Sequence, residues 1–357
     1  MILSMVDPTA AFGLDSLEAY RFGPRFFAYP STSILDGPGA IWTLSPHSRA
    51  VTNVRHTGDL FRGDIRFYHP DLATPGREIV LSPLGMGEAY NRVLWRGRPW
   101  RMPGTWRGDL SLLPPNIVGS ASSSTGTLDG ASGAGLIALD PVRSFDDGPA
   151  TALSYRTGFY GFEPVGFVHH RRVAASNYLR IGGFIPSSSG RFPHSAQHGR
   201  TLWSEIVNRL GSDGEVSLAF QSVRQGVEIP GTPVERQMTR GDVDLAISHT
   251  PETGSKWSFG LYRAETRLRE LPVNEYGRET GGVVRWSRGD FGMMARLTRS
   301  DGTLDGGIGY RVDDGEASLQ WNTRRPWAEM MVQAGATGAL PDRILPAGGV
   351  TLIVPGI

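Results

Sequence analysis

The sequence predicts a mainly β chain: an antiparallel transmembrane β-barrel preceded by a small α+β domain. Three observations lead there. From Ser154 onward the chain divides into segments of about eight to eleven residues that alternate apolar and polar, the period of a strand and the length of one crossing a bilayer at a tilt. Glycine (47) and proline (25) exceed their common share in a chain of 357 residues, which favours many short elements joined by turns. Tight links near Ala174, Gly211, Gly254, Gly289 and Gly315 are interleaved with longer polar stretches such as 186–200 and 224–241, the asymmetry of turns and loops that transmembrane barrels have.

In chain order, the reading is an N-terminal segment at 1–14, a small mixed domain at 15–141 and a strand region of about a dozen strands at 142–357. The opening MILSMVDPTAAFG lacks the basic start and apolar stretch of a secretory signal. Residues 15–141 are rich in Pro, Gly, Ser and Arg, with apolar islands EIVLSPLG, NRVLWRGRPW and GDLSLLPPNIV that predict short elements. Before the strands, Leu136, Ile137, Ala138 and Leu139 read as a buried strand entered through the small residues Ala131, Gly133, Ala134 and Gly135.

The strand region supplies its own face assignments. After a GSDG turn at 211–214, Val216, Leu218 and Phe220 alternate with Ser217, Ala219 and Gln221. Val243, Leu245 and Ile247 oppose Asp244, Ala246 and Ser248. Around a turn at Arg288-Gly289-Asp290, Val284 and Trp286 are followed by Phe291, Met293, Ala295 and Leu297, with Arg285, Gly292 and Arg296 on the other face. A further hairpin is predicted about Asp314-Gly315, from Ile308, Tyr310 and Val312 to Ala317, Leu319 and Trp321. Trp257, Trp286, Trp321 and Trp327 fall near strand ends, where an interfacial girdle or a core would use them. Carboxylates Asp242, Asp244 and Glu316 join Arg285, Arg296 and Arg311 on the expected inward face as hydrated pairs.

Composition excludes several functions. With 36 basic residues against 35 acidic ones the net charge is +1, so no global field draws the chain to nucleic acid. Lys256 is the only lysine. The absence of cysteine removes disulfides, thiolate metal sites and a cysteine nucleophile. No run of about 18 apolar residues occurs, which excludes a transmembrane helix and leaves a barrel untouched.

The stretch Val93 to Val118 resembles the plug domain of TonB-dependent receptors. Its turn Arg96-Gly97-Arg98-Pro99 is similar to a "DGRP" turn, with Arg96 where the family has aspartate, and Gly108 to Ile117 resembles a "DLNLIPP" helix entry. Gly126 to Pro141 resembles the last plug strand before the barrel, and 190–211 looks like a first outer loop followed by an inward-running strand. The resemblance implies a plugged outer-membrane barrel that takes up an unidentified small ligand. It departs at the ends: no TonB box is evident, which leaves TonB coupling open, and GGVTLIVPGI does not close on an aromatic residue. The family's barrels reach about 22 strands, so a dozen points to a fragment or a smaller porin-like relative.

Catalytic signatures are absent: no GxSxG elbow, P-loop or dinucleotide fingerprint appears, and the serine runs 122–124 and 187–189 read as loops. No enzyme activity, cofactor or metal is expected. Adjacent His169 and His170 oppose each other on a strand and make a poor metal pair. Arg191, His194 and His198, in a polar loop, are the candidate ligand contacts. The expected partners are outer-membrane lipid and a small ligand. Two other readings stay open: a soluble all-β binding or carbohydrate-active protein, whose apolar faces would pack on a second sheet, and a structural barrel that transports nothing.

Overall fold

The computed structural model describes residues 42–43, 54–62, 64, 67–68, 77–83, 91–102, 107–125, 135–142, 148–230, 232, 234–251, 254–270, 272–289, 291–325, 328–340 and 345–353. Two sheets organise them, with a two-stranded ribbon beside the first.

The first sheet holds β1 (Trp42–Thr43), β4 (Asn91–Trp95), β5 (Arg98–Pro99), β6 (Val118–Thr125) and β7 (Gly135–Pro141), in the order β1-β6-β7-β4-β5. It is mixed, because β4 runs parallel to β7 while the other pairs are antiparallel. The ribbon is β2 (Phe67–Tyr68) and β3 (Ser82–Pro83). β7 is buried throughout, as a parallel central strand covered on both faces must be. The apolar islands are its packing partners: Ile79, Leu81, Val93, Trp95, Leu110, Leu112, Leu113 and Ile117 share one core. The helix entry expected at Asp109 is a 3-10 turn, Leu110–Leu112, whose first free amides are met by the Asp109 carboxylate, which accepts from Ser111 N at 2.8 Å. Ser122–Ser124 lie inside β6 rather than in a loop; Ser123 Oγ donates to buried Asp64, which satisfies the hydroxyl within the sheet.

The second sheet is one antiparallel meander: β8 (Ala150–Tyr155), β9 (Val165–Ala174), β10 (Asn177–Ile185), β12 (Gln197–Leu210), β13 (Gly214–Glu228), β14 (Glu235–His249), β15 (Ser255–Glu270), β16 (Val273–Arg288), β17 (Phe291–Thr303), β18 (Gly309–Arg325), β19 (Ala328–Leu340) and β20 (Leu345–Ile353), with short β11 (Ser187–Ser188) on the edge of β12. Among the described residues no pairing joins β8 to β20. From β12 to β18 the strands run 13 to 17 residues, longer than the sequence segments, since their polar ends continue the ladder. The links at one end of this sheet (175–176, 211–213, 250–254, 289–290, 326–327) run two to five residues, and those at the other (156–164, 186–196, 229–234, 271–272, 304–308, 341–344) two to eleven, the three longest among them. The expected long stretch 224–241 is mostly strand, and 186–196 is the second connection at its end, after 156–164. Ser187 and Ser188 belong to β11, and Ser188 Oγ donates to Tyr160 O at 3.1 Å.

One expected hairpin is absent. Asp314 and Gly315 lie within β18, which pairs residue by residue with β17 from Thr303↔Gly309 to Phe291↔Trp321. The pairs Arg299–Asp313 and Arg296–Glu316 hold that register on opposite faces, and an unbroken ladder of this length outweighs the turn preference of Asp-Gly. Alternation therefore continues through Gly315, and Arg311 is exposed on the outer face instead of joining the inward arginines.

The two faces of the meander are inverted relative to a soluble protein. Leu153, Leu202, Ile206, Leu218, Phe220, Val243, Leu261, Val284, Met293, Leu297 and Leu319 are exposed, while Glu205, Ser217, Gln221, Asp242, Arg285 and Arg296 are buried. Trp203, Val223 and Met238 also point inward and complete the core of the first sheet, so the small domain occupies the concave side. At the tight-link end Trp257 opposes Trp286 and Phe291 opposes Trp321 on the outer face; Trp327 lies outside the described residues.

Candidate functional site

The site that joins the two sheets starts from a two-residue turn. Arg96 (φ 56°) and Gly97 (φ 75°) both adopt the left-handed conformation that a tight turn between β4 and β5 demands. The positive φ favours glycine at 97, and a Cβ there would also fall 2.6 Å from the Arg285 guanidinium, which donates to Gly97 O at 2.6 Å and would have to shift. Arg96 accepts the strained conformation, and its side chain reaches the inward face of β12 and β13. Alternation in the hairpin then aims a row of guanidiniums at the inward face of the meander.

Each finds carboxylates there. Arg96 meets Glu205 at 2.6 Å and Ser217 Oγ at 3.2 Å, and the second oxygen of Glu205 takes Arg180 at 2.8 Å. Arg98 lies 2.9 Å from Asp242 and 2.5 Å from Asp244, with Arg240 on Asp242 at 2.9 Å. Arg101 binds Glu279 at 2.5 Å and Asp314 at 3.0 Å, and Arg92 shares Glu316 with Arg296. Trp100 sits between the groups: the Arg240 guanidinium lies 3.8 Å from its ring centre, and its indole N–H donates to Asp109 O at 2.8 Å.

The central contacts are buried, and those of Arg92 and Arg101 partly exposed. The side chains of Arg96, Glu205, Arg98, Asp242 and Arg180 are 2% exposed or less. Burial pulls the Arg98 and Arg101 guanidiniums down, but Asp244 and Asp242 beside the first and Glu279 beside the second outweigh it and hold both above the ordinary value. Such pairs add little net stability over apolar packing, yet removing one partner strands a buried charge. The arrangement therefore fixes the position of the small domain against the inward face of the meander.

The inward positions of Asp242, Asp244, Glu316, Arg285 and Arg296 agree with the sequence reading, but they are packed against the small domain rather than hydrated. The partnering arginines Arg92, Arg96, Arg98 and Arg101 were not singled out as a set; their signal is the recurrence of arginine through RVLWRGRPWR. Arg191 and His194 lie exposed on the 186–196 connection, with Arg191 over the Phe192 ring at 5.4 Å. His198 is on β12, not in the loop, faces outward and pairs with Glu235 at 3.2 Å. Among the described residues no hydrogen bond or ion pair joins these three. His169 and His170 take opposite faces of β9, the first bonded to Thr151 and the second buried.

The chain matches no protein-family model and no curated protein. It is similar in structure to the siderophore receptor PirA from Pseudomonas aeruginosa, with a TM-score of 0.70 at 14% identity over 89% of this chain and 59% of that one. The copper transporter OprC gives 0.65 at 13% identity, over 89% and 61%. The alcaligin outer membrane receptor FauA from Bordetella pertussis gives 0.67 at 10% identity, over 89% and 59%. At these identities the likeness shows the fold, and it is the plug-and-barrel fold that the plug motifs led us to expect. The chain spans about three-fifths of the length of these structures.

Proposed function

We propose that the chain is an outer-membrane barrel protein, occluded by residues of its N-terminal domain, that takes up a small ligand from the end carrying the longer connections. The observation that carries this reading is the inverted sheet: a contiguous row such as Leu218, Leu245 and Leu261 faces outward with no second sheet over it among the described residues. Left in water, each such side chain would forgo about 1.5–3 kcal/mol of burial, and a patch of this extent belongs against lipid. That arrangement argues against the soluble sandwich, whose apolar face needs a partner sheet. Ion pairs in place of an apolar seal across much of the plug interface favour a gate over a purely structural filling, since a polar contact re-forms in water after displacement.

The test has two stages. Native protein that fractionates with outer membranes and migrates differently in detergent before and after heating supports the barrel; a soluble monomer that needs no detergent refutes it. In planar bilayers the intact protein should conduct poorly, and Arg98→Met/Arg96→Met should raise conductance by loosening the plug. Equal conductance in both would leave the plug without an occluding role.

A further inference from the structure

On the outer face, near the longer connections, cations elsewhere are balanced: Arg263 and Arg278 share Glu265 at 2.6 and 3.2 Å, and Arg299 holds Asp313 at 2.6 Å. One place departs from this. The ladder sets Arg200 directly opposite Arg224, then Thr239, then Arg267 in one cross-strand row, and His198, Gly226, Gln237 and Arg269 in the row above. Among the described residues neither Arg200, Arg224 nor Arg269 pairs with a carboxylate. Like charges directly opposite destabilise a sheet unless an anion sits between them.

Arg224, Arg267 and Arg269, with His198 and its partner Glu235, line a cleft of about 240 Å³. At Gly226 a Cβ would come within 2.1 Å of Glu235 Oε1 and 2.5 Å of His198 Nε2, so the missing side chain is what lets that pair lie down against the strand. Below it come Ser222 and Gly241, the latter with nothing within 4 Å of an added Cβ, and then the apolar Phe220 and Val243. Four residues separate Arg224 from Phe220, about 13 Å along a strand, and less along the membrane normal once the strand is tilted. At a tilt of about 45° the rise is roughly 9 Å, so with Phe220 just inside the hydrocarbon edge the arginines reach the headgroup layer, which occupies roughly 5–8 Å on each side.

We propose that this cleft binds the phosphorylated headgroup of an outer-leaflet lipid, with Arg224, Arg267 and Arg269 facing the phosphate, His198 holding the Glu235 carboxylate at 3.2 Å, and the acyl chains lying over Phe220 and Val243. The inference rests on the membrane-barrel reading above. A lipid is the occupant because the cleft opens onto the same outer face as the apolar band, whereas a ligand entering the lumen meets the inward face. Arginine forks suit phosphate oxygens, and Thr239 and Gln237 add neutral donors.

The full chain in non-ionic detergent is titrated with bis-phosphorylated lipid A, with its dephosphorylated form and with inorganic phosphate. Arg224→Gln/Arg267→Gln and Gly226→Ala serve as variants whose outward positions leave the plug contacts untouched. Retention of lipid A that falls at least tenfold in both variants and on dephosphorylation upholds the proposal. Unchanged retention in the variants overturns it, as does inorganic phosphate that binds equally well, which would mark a free-anion site. Heat-modifiable migration is followed in every sample: its persistence with no lipid A binding overturns only this proposal, and its absence in the parent removes the barrel reading as well.

Discussion

Replacing Glu205 by leucine isolates the central ionic contact of the plug. The carboxylate is fully buried and holds two guanidiniums, Arg96 from the plug at 2.6 Å and Arg180 from β10 at 2.8 Å. Its loss leaves both cations buried without this carboxylate, and Ser217 Oγ, 3.2 Å from Arg96, is a neutral acceptor that does not balance the charge. Stranding one buried charge costs about 3–5 kcal/mol. The cost falls on the plugged state, because an emptied lumen would hydrate both arginines. Hydrogen exchange at the β4–β7 ladder, read at Val93 and Ile137, should accelerate roughly a hundredfold to several-thousandfold, taking about 1.4 kcal/mol per tenfold. Exchange in β14 and β15, which lie outside this contact, should change little. The triple variant Arg96→Met/Arg180→Met/Glu205→Leu removes the charges together and should recover most of the protection. If Glu205→Leu leaves exchange within threefold of the parent, or the triple variant exchanges as fast as the single, the ion pairs do not hold the plug.

Three further outcomes are expected. Gly97→Ala places a Cβ against Arg285 in a left-handed turn and should cost more than about 1 kcal/mol of plug stability by chemical denaturation, where a freely hinged turn would tolerate it. Leu218→Arg on the outer face should destabilise the folded barrel in lipid by about 2–4 kcal/mol; improved solubility with unchanged folding would argue for a soluble protein. Asp109→Ala should lose about 1 kcal/mol of capping. Burial holds the Asp109 carboxyl above its ordinary 3.8 against the bonds from Ile79 and Ser111, so its contribution is full below that value and is lost as pH rises through the elevated one. Asp109→Asn should flatten that slope in the denaturation midpoint, and an unaltered slope would assign it elsewhere.

What the sequence by itself determined is local in character. Period-two alternation fixed which side chains share a face, so Leu218 and Phe220 stand opposite Ser217 and Gln221, and Phe291 and Leu297 opposite Arg296, as read from the chain. Turns with a single short solution, Gly211 and Gly289, were legible because a positive φ narrows the residues that fit, and Arg96-Gly97 was legible through its resemblance to a plug turn. Alternation does not say which face meets solvent; only the placement of the plug on the concave side turned the polar face into the interior. Tertiary structure also decided where local preference lost, as at Asp314-Gly315, where pairing with β17 on both faces overrode a turn signal. The plug contacts were least accessible, since Arg96 and Glu205 are separated by 109 residues and Arg98 and Asp242 by 144. No local pattern encodes such a pairing. It exists because a curved sheet encloses the hairpin in a space that excludes water, and there every buried charge must find its counterpart.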